Sequence, residues 1–210
     1  MKRFHTMALG ATLLLAASLT SFAGSASATQ SITCNNHEAT ALTGVLDGSV
    51  DVPEGASCWI KDATITGDFT AIHSPRTVSL INTNVMSAGG IFVNGSTGRV
   101  IIGSEGCRVD PYAGRNIKVF DSHSVAICQM TIRNNLMVKG TTGGRIMVRD
   151  NLACNNIMVT DSDVLAVRVL NNRFTPNLMV DRNTASLASV VKGNVDLGPN
   201  PAECRDATTP

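Results

Sequence analysis

The residue types able to do chemistry gather in three short turns. FDSH supplies Asp121 and His123, TDSD supplies Asp161 and Asp163, and DRN supplies Asp181 and Arg182. Two carboxylates flanking a bond, with a water between them, are the machinery of glycosidic cleavage. The candidate catalytic set is therefore Asp121, Asp161, Asp163 and Arg182, acting on a polysaccharide. Two plainer readings compete with it. Asp and Ser are ordinary turn residues that hydrogen-bond free backbone N–H groups, and loosely grouped carboxylates also bind calcium weakly. His37 and His73 stand alone, and His123 has no nucleophile fixed beside it by a motif. No phosphate loop, GxSxG elbow or Cys–His pair is visible. No HxH, HExxH or CxxC spacing suggests zinc. The reading leans away from an enzyme and expects no cofactor.

Those turns must be positioned by something, and the chain shows what. Asn135 opens NLMV, Asn156 opens NIMV and Asn177 opens NLMV, each 21 residues from the next. Asn116 (NIKV) and Gly90 (GIFV) extend the series upstream. A second column holds Asn84, Asn151, Asn172 and Asn194, with Met130 where one more Asn would fall. Gly48 and Gly67 carry the period back toward the N-terminus, and Glu105–Arg115 reads as a loop inserted into one coil. The local pattern is β-branched runs with period-two alternation ended by Asn or Gly, so the units are strands. One such unit per turn gives a parallel solenoid. At about 4.8 Å per coil, seven coils make a cylinder on the order of 35 Å long and separate Asp121 from Asp161 by about 10 Å.

Stacked Asn residues at a two-residue corner, with three short strands per coil, resemble the right-handed parallel β-helix of pectate-lyase-like proteins. The stretch GSVDVPEGASCWIKDATITGDF is likewise similar to a repeat common in secreted bacterial proteins. The resemblance implies an all-β fold, a right-handed parallel β-helix of about seven coils. It also implies an Asn ladder at the corner between the second and third strands, where Asn takes the left-handed conformation. The expected layout is a signal peptide over 1–28, an N-terminal cap segment over 29–47, the β-helix over 48–197 and a Pro-rich tail over 198–210.

Alternation within the NIMV motif assigns two faces. Ile91, Ile117, Leu136, Ile157 and Leu178, with the valines two residues on, are all aliphatic and point inward. The middle column is Phe92, Lys118, Met137, Met158 and Met179. An unpaired Lys cannot sit in a core only a few side chains wide, so this column points outward. The methionines then either lie beneath the C-terminal tail or form an exposed stripe where a partner docks, since Met adapts to partner surfaces. In β-helix enzymes of the resembled family this face carries acids and cations, which the Met column does not match.

The remaining composition sets bounds. The chain has 17 Lys and Arg against 16 Asp and Glu, so charge suggests neither nucleic acid nor anionic lipid. A basic MKR, an apolar stretch and a small-residue SASA point to cleavage near Ala28 by a bacterial-type signal peptidase, and so to a secreted or periplasmic protein. No later segment is long and apolar enough for membrane insertion. The six cysteines, Cys34, Cys58, Cys107, Cys128, Cys154 and Cys204, are expected to form three disulfides. Cys34 with Cys58 would tie down the N-terminal segment, and Cys204 would staple the tail. The partner is expected to be a protein or an extracellular polymer. Assembly end to end, as an envelope or matrix component, is a further alternative.

Overall fold

The computed structural model describes residues 30–104, 111–199 and 201–206. The expected signal peptide, Cys107, most of the expected 105–115 loop and the last four residues lie outside that range.

The chain winds as an all-β parallel solenoid of about eight turns. One flank is an eight-stranded parallel sheet, the first sheet. The other two flanks belong to one bent thirteen-stranded sheet, whose arms are called here the second and third faces. The bend is bridged by two nine-residue strands, Ser57–Ile65 and Thr77–Val85. In later turns each of these is broken into a longer and a two-residue strand, for example Arg145–Arg149 and Leu152–Ala153. The turn count exceeds the expected seven because the segment expected as a cap continues the winding. Ser31–Thr33 pairs with Ser49–Asp51, and Leu42–Leu46 pairs with Ser57–Ile65.

The inward columns are continuous. Phe69, Ile91, Ile117, Leu136 and Ile157 stack in register and are buried, as are Val93, Val119, Val138 and Val159. Each such side chain contributes about 1.5–3 kcal/mol by leaving water. The strands form here because β-branched residues fit a pleated surface covered on one side.

The corners explain the asparagines. Between the second and third faces, Asp62, Asn82, Gln129, Asp150 and Asn171 take left-handed conformations, with φ between 48° and 56°. The ladder residue is the next one along. Asn151 and Asn172 are buried, and each passes its amide to the turn above: Asn151 to Asn172 Oδ1 at 2.9 Å and Asn172 to Asn194 Oδ1 at 2.9 Å. Met130 begins the series, giving its backbone N–H to Asn151 Oδ1 at 3.0 Å. The expectation thus needs two corrections. The left-handed residue precedes the ladder Asn, and Asn84 is not in the ladder. In NTNVM the first Asn, Asn82, supplies the left-handed corner, so buried Thr83 falls in the ladder position and Asn84 moves one place on. There its Oδ1 accepts the Tyr112 N–H at 2.9 Å.

The Asn that opens each NLMV motif builds a second ladder at the corner into the first sheet. Asn135, Asn156 and Asn177 each donate a side-chain amide to Oδ1 of the Asn one turn below, at 3.2, 2.9 and 2.8 Å. Gly90 holds this position one turn below Asn116. Its φ of +97° and a would-be Cβ 2.2 Å from the Asn116 carbonyl oxygen require glycine.

Candidate functional site

The turn after the first sheet stacks Asp121, Gly140, Asp161 and Arg182 in one column, all with φ between 47° and 69°. Gly140 leaves room for the Asp121 carboxylate, since a Cβ there would lie 2.2 Å from Oδ1. One turn above, Arg182 grips Asp161 through both carboxylate oxygens, Nε to Oδ1 at 2.5 Å and Nη2 to Oδ2 at 3.1 Å. Lys139 Nζ adds a contact at 3.6 Å and Asp181 shares Arg182 at 3.3 Å. Hydrogen bonding from Arg182 holds the Asp161 carboxyl down to about 2, and the pairing raises Arg182 in turn. Asp161 is therefore ionised throughout the neutral range and carries no proton to donate.

Of the four acid–base candidates, the structure brings Asp161 and Arg182 into contact. Asp121 stands two turns from Asp161 with Gly140 between. Asp163 lies across the turn, where it is exposed and opens the strand Asp163–Leu170. His123 lies against Gly143. Among the described residues no group of three or more His, Cys, Asp or Glu is arranged to hold a metal ion.

The middle column of the first sheet is in continuous register from Phe92 through Lys118, Met137 and Met158 to Met179. Below Phe92 the same column is polar, with Thr33, Asp51 and Thr70. Phe92 packs edge-on against Phe120 with centroids 5.6 Å apart. Met137 and Met158 are half-buried between their neighbours in the column, and Met179 is 43% exposed at its end. The described part of the tail runs elsewhere. Cys204 is bonded to Cys154, Glu203 pairs with Arg173, and the Thr175 hydroxyl donates to the Gly198 carbonyl, all on the third face and its corner.

The second described disulfide joins Cys34 to Cys58. Cys128 is also oxidised. Such bonds fit an oxidising environment outside the cytosol. No helix among the described residues is long and apolar enough to cross a membrane.

One feature of the second face escaped the sequence reading. Outward positions of its strands place Lys61, Arg99, Arg145, Arg149, Arg168 and Lys192 along the solenoid, against one carboxylate, Asp163, at the start of its strand. The signal was present: the alternation in RVIIG and RIMVR marks which residues face out.

Comparison of the chain with protein families, curated proteins and solved structures finds no match.

Proposed function

We propose that this chain is an exported, non-enzymatic β-solenoid of the right-handed, pectate-lyase-like kind, which binds a protein or extracellular polymer through the outward face of its first sheet. The observation that carries the reading is the in-register column Phe92, Lys118, Met137, Met158 and Met179 on a flank that the described tail does not cross. A rigid sheet with an asparagine ladder along one edge presents this largely apolar row without reorganising, and pliable methionines accommodate a partner's contours. The two disulfides support export, with cleavage near Ala28 and a secreted or periplasmic location. The polysaccharide-cleaving alternative is weakened by the Asp161–Arg182 pair, which leaves that turn without a proton donor at Asp161. The test is Met158→Lys in the exported protein. The reading requires that the melting temperature hold while a partner that co-purifies with the parent protein is lost. A collapse of folding, or retention of the partner, would refute it.

End-to-end assembly has its own support. Among the described residues, five of the seven exposed large apolar side chains belong to the last turn: Met179, Leu187, Val190, Val191 and Val195. Val191 stacks on fully buried Val169 yet is itself 48% exposed, so the core is open at this end. The nine-residue strand Thr184–Lys192 is paired on one side only, and an open edge of that length is a template for another strand. Sedimentation velocity over a hundredfold range of concentration tests this. Self-association abolished by Val191→Asp supports it, and a monomer throughout excludes it.

A further inference from the structure

The second face carries a groove that neither the turn acids nor the methionine row accounts for. Its floor is a single outward column in register, Trp59, Ser79, Ile101, Ala126, Met147 and Arg168. Small residues at Ser79 and Ala126 leave hollows between large ones. One lobe, of about 430 Å³, is lined by Trp59, Ile81, Ile101 and Met147 and is walled by Glu38 and Ala41 of the N-terminal segment. The next, of about 360 Å³, lies among Arg99, Arg145 and Arg168 over Ser124 and Ala166. The lobes share Arg99, Ala126 and Met147, so they form one trough with an apolar half and a cationic half. Each lobe is the size of a small-molecule site.

The wall is built in rather than incidental. The Cys34–Cys58 bond fixes the segment one residue from Trp59. Asn36 then clamps that residue's backbone, accepting the Trp59 N–H at 2.7 Å and donating to its carbonyl at 3.0 Å. Among the described residues, Arg99, Arg145 and Arg168 are in no ion pair, and the one acid in the groove lining is Glu38 on the wall of the apolar lobe. Asp150 pairs with Arg149, Asp161 with Arg182 and Glu203 with Arg173, and the one outward carboxylate of these strands, Asp163, stands at a strand start outside the groove lining. In a chain whose net charge is only +1, this concentrates cations on one face. Within the apolar lobe, Ser79 is 1% exposed and its Oγ has no hydrogen-bond partner, a state that buried hydroxyls seldom keep.

We infer that this groove binds a small amphipathic anion, its apolar body against Trp59, Ile101 and Met147 and its carboxylate, sulfonate or phosphate head held by Arg99, Arg145 and Arg168. Guanidinium forks match such oxyanions through two parallel hydrogen bonds. An extended peptide fits less well, because these strands lie within a sheet and their backbone groups are already paired, so none is free to take up another strand. The site is on a different flank from the methionine row, and either could exist without the other.

Trp59 is the only tryptophan, so its emission reports this groove without a label. The experiment titrates the mature protein with 8-anilinonaphthalene-1-sulfonate and follows quenching of Trp59, then adds decanoate, octyl glucoside or inorganic phosphate as competitors. Saturable quenching reversed by decanoate is expected. Arg99→Ala should weaken binding at least tenfold, Ala126→Phe should fill the trough and abolish it, and Met179→Ala, on the other flank, should leave it unchanged. Arg99 is exposed, and circular dichroism is to check that its variant is folded; Arg145→Gln repeats the test independently. Quenching unaffected by Arg99→Ala and Arg145→Gln overturns the proposal. Equal displacement by phosphate overturns the apolar half of it, and equal displacement by octyl glucoside overturns the anionic half.

Discussion

Asn151 gives both its backbone and its side-chain N–H to one atom, Oδ1 of Asn172, at 3.0 and 2.9 Å. Asn172 in turn donates to the Val148 carbonyl at 2.9 Å. Both residues are buried, so truncation strands three groups at once. Asn172→Ala should lower unfolding free energy by about 3 kcal/mol, the upper end for buried groups left unpaired. Asn84→Ala, outside the ladder, should cost about 1 kcal/mol. Urea unfolding of the two variants measures the difference, and equal losses would show that the ladder adds nothing.

The pair Asp161–Arg182 makes a pH-dependent contribution of definite sign. The folded carboxyl titrates at about 2, below its usual value of 3.8. Its stabilisation is therefore present above pH 3.8 and is lost as pH falls toward 2. In Arg182→Ala the Asp161 midpoint, followed by NMR, should rise toward the ordinary carboxylate range. A midpoint that stays put would mean Arg182 is not the cause.

Dilute peroxide should separate the methionines by environment. Met179, exposed at the end of its column, should oxidise first, half-buried Met137 and Met158 next, and Met130, 1% exposed within the core, last. Peptide mass reads all four in one sample. If Met137 and Met158 react as slowly as Met130, the row is covered and cannot be a docking face.

Gly140 is constrained twice, by φ +69° and by the Asp121 carboxylate. Gly140→Ala should cost about 2 kcal/mol or more from the left-handed strain and the clash. Adding Asp121→Ala should recover the clash portion and leave the strain. A double-mutant cycle with no coupling would place Asp121 elsewhere in solution.

The sequence was most legible where one residue type recurred at one spacing. Aliphatic alternation around each NLMV motif set the inward and outward columns and the 21-residue turn, and the coil from Asn156 to Pro176 divides into the strands Ile157–Thr160, Asp163–Leu170 and Arg173–Phe174. The expected Cys34–Cys58 tie and Cys204 staple both form, while the partner of Cys204, Cys154, was not legible in the sequence. Legibility failed where two similar residues competed for one position. NTNVM contains two asparagines, and only the backbone decides which turns the corner. The first turn was missed because Ser31–Thr33 is three residues long and lacks the motif. The second-face arginines were visible singly but not as a group, because Arg99, Arg145 and Arg168 are brought together by the stacking of turns, not by any local pattern.

Because the turns from Asn135 onward are closed by the same two asparagine corners, length in this part of the chain is quantised. A block of 21 residues added between Asn156 and Asn177 would arrive with its amides already in phase and extend the rod by about 4.8 Å. A single added residue within a strand would instead turn every following side chain inside out. Duplication of one whole turn is thus the small step open to such a molecule, and the near-copies NLMV, NIMV and NLMV have the form that step would leave behind.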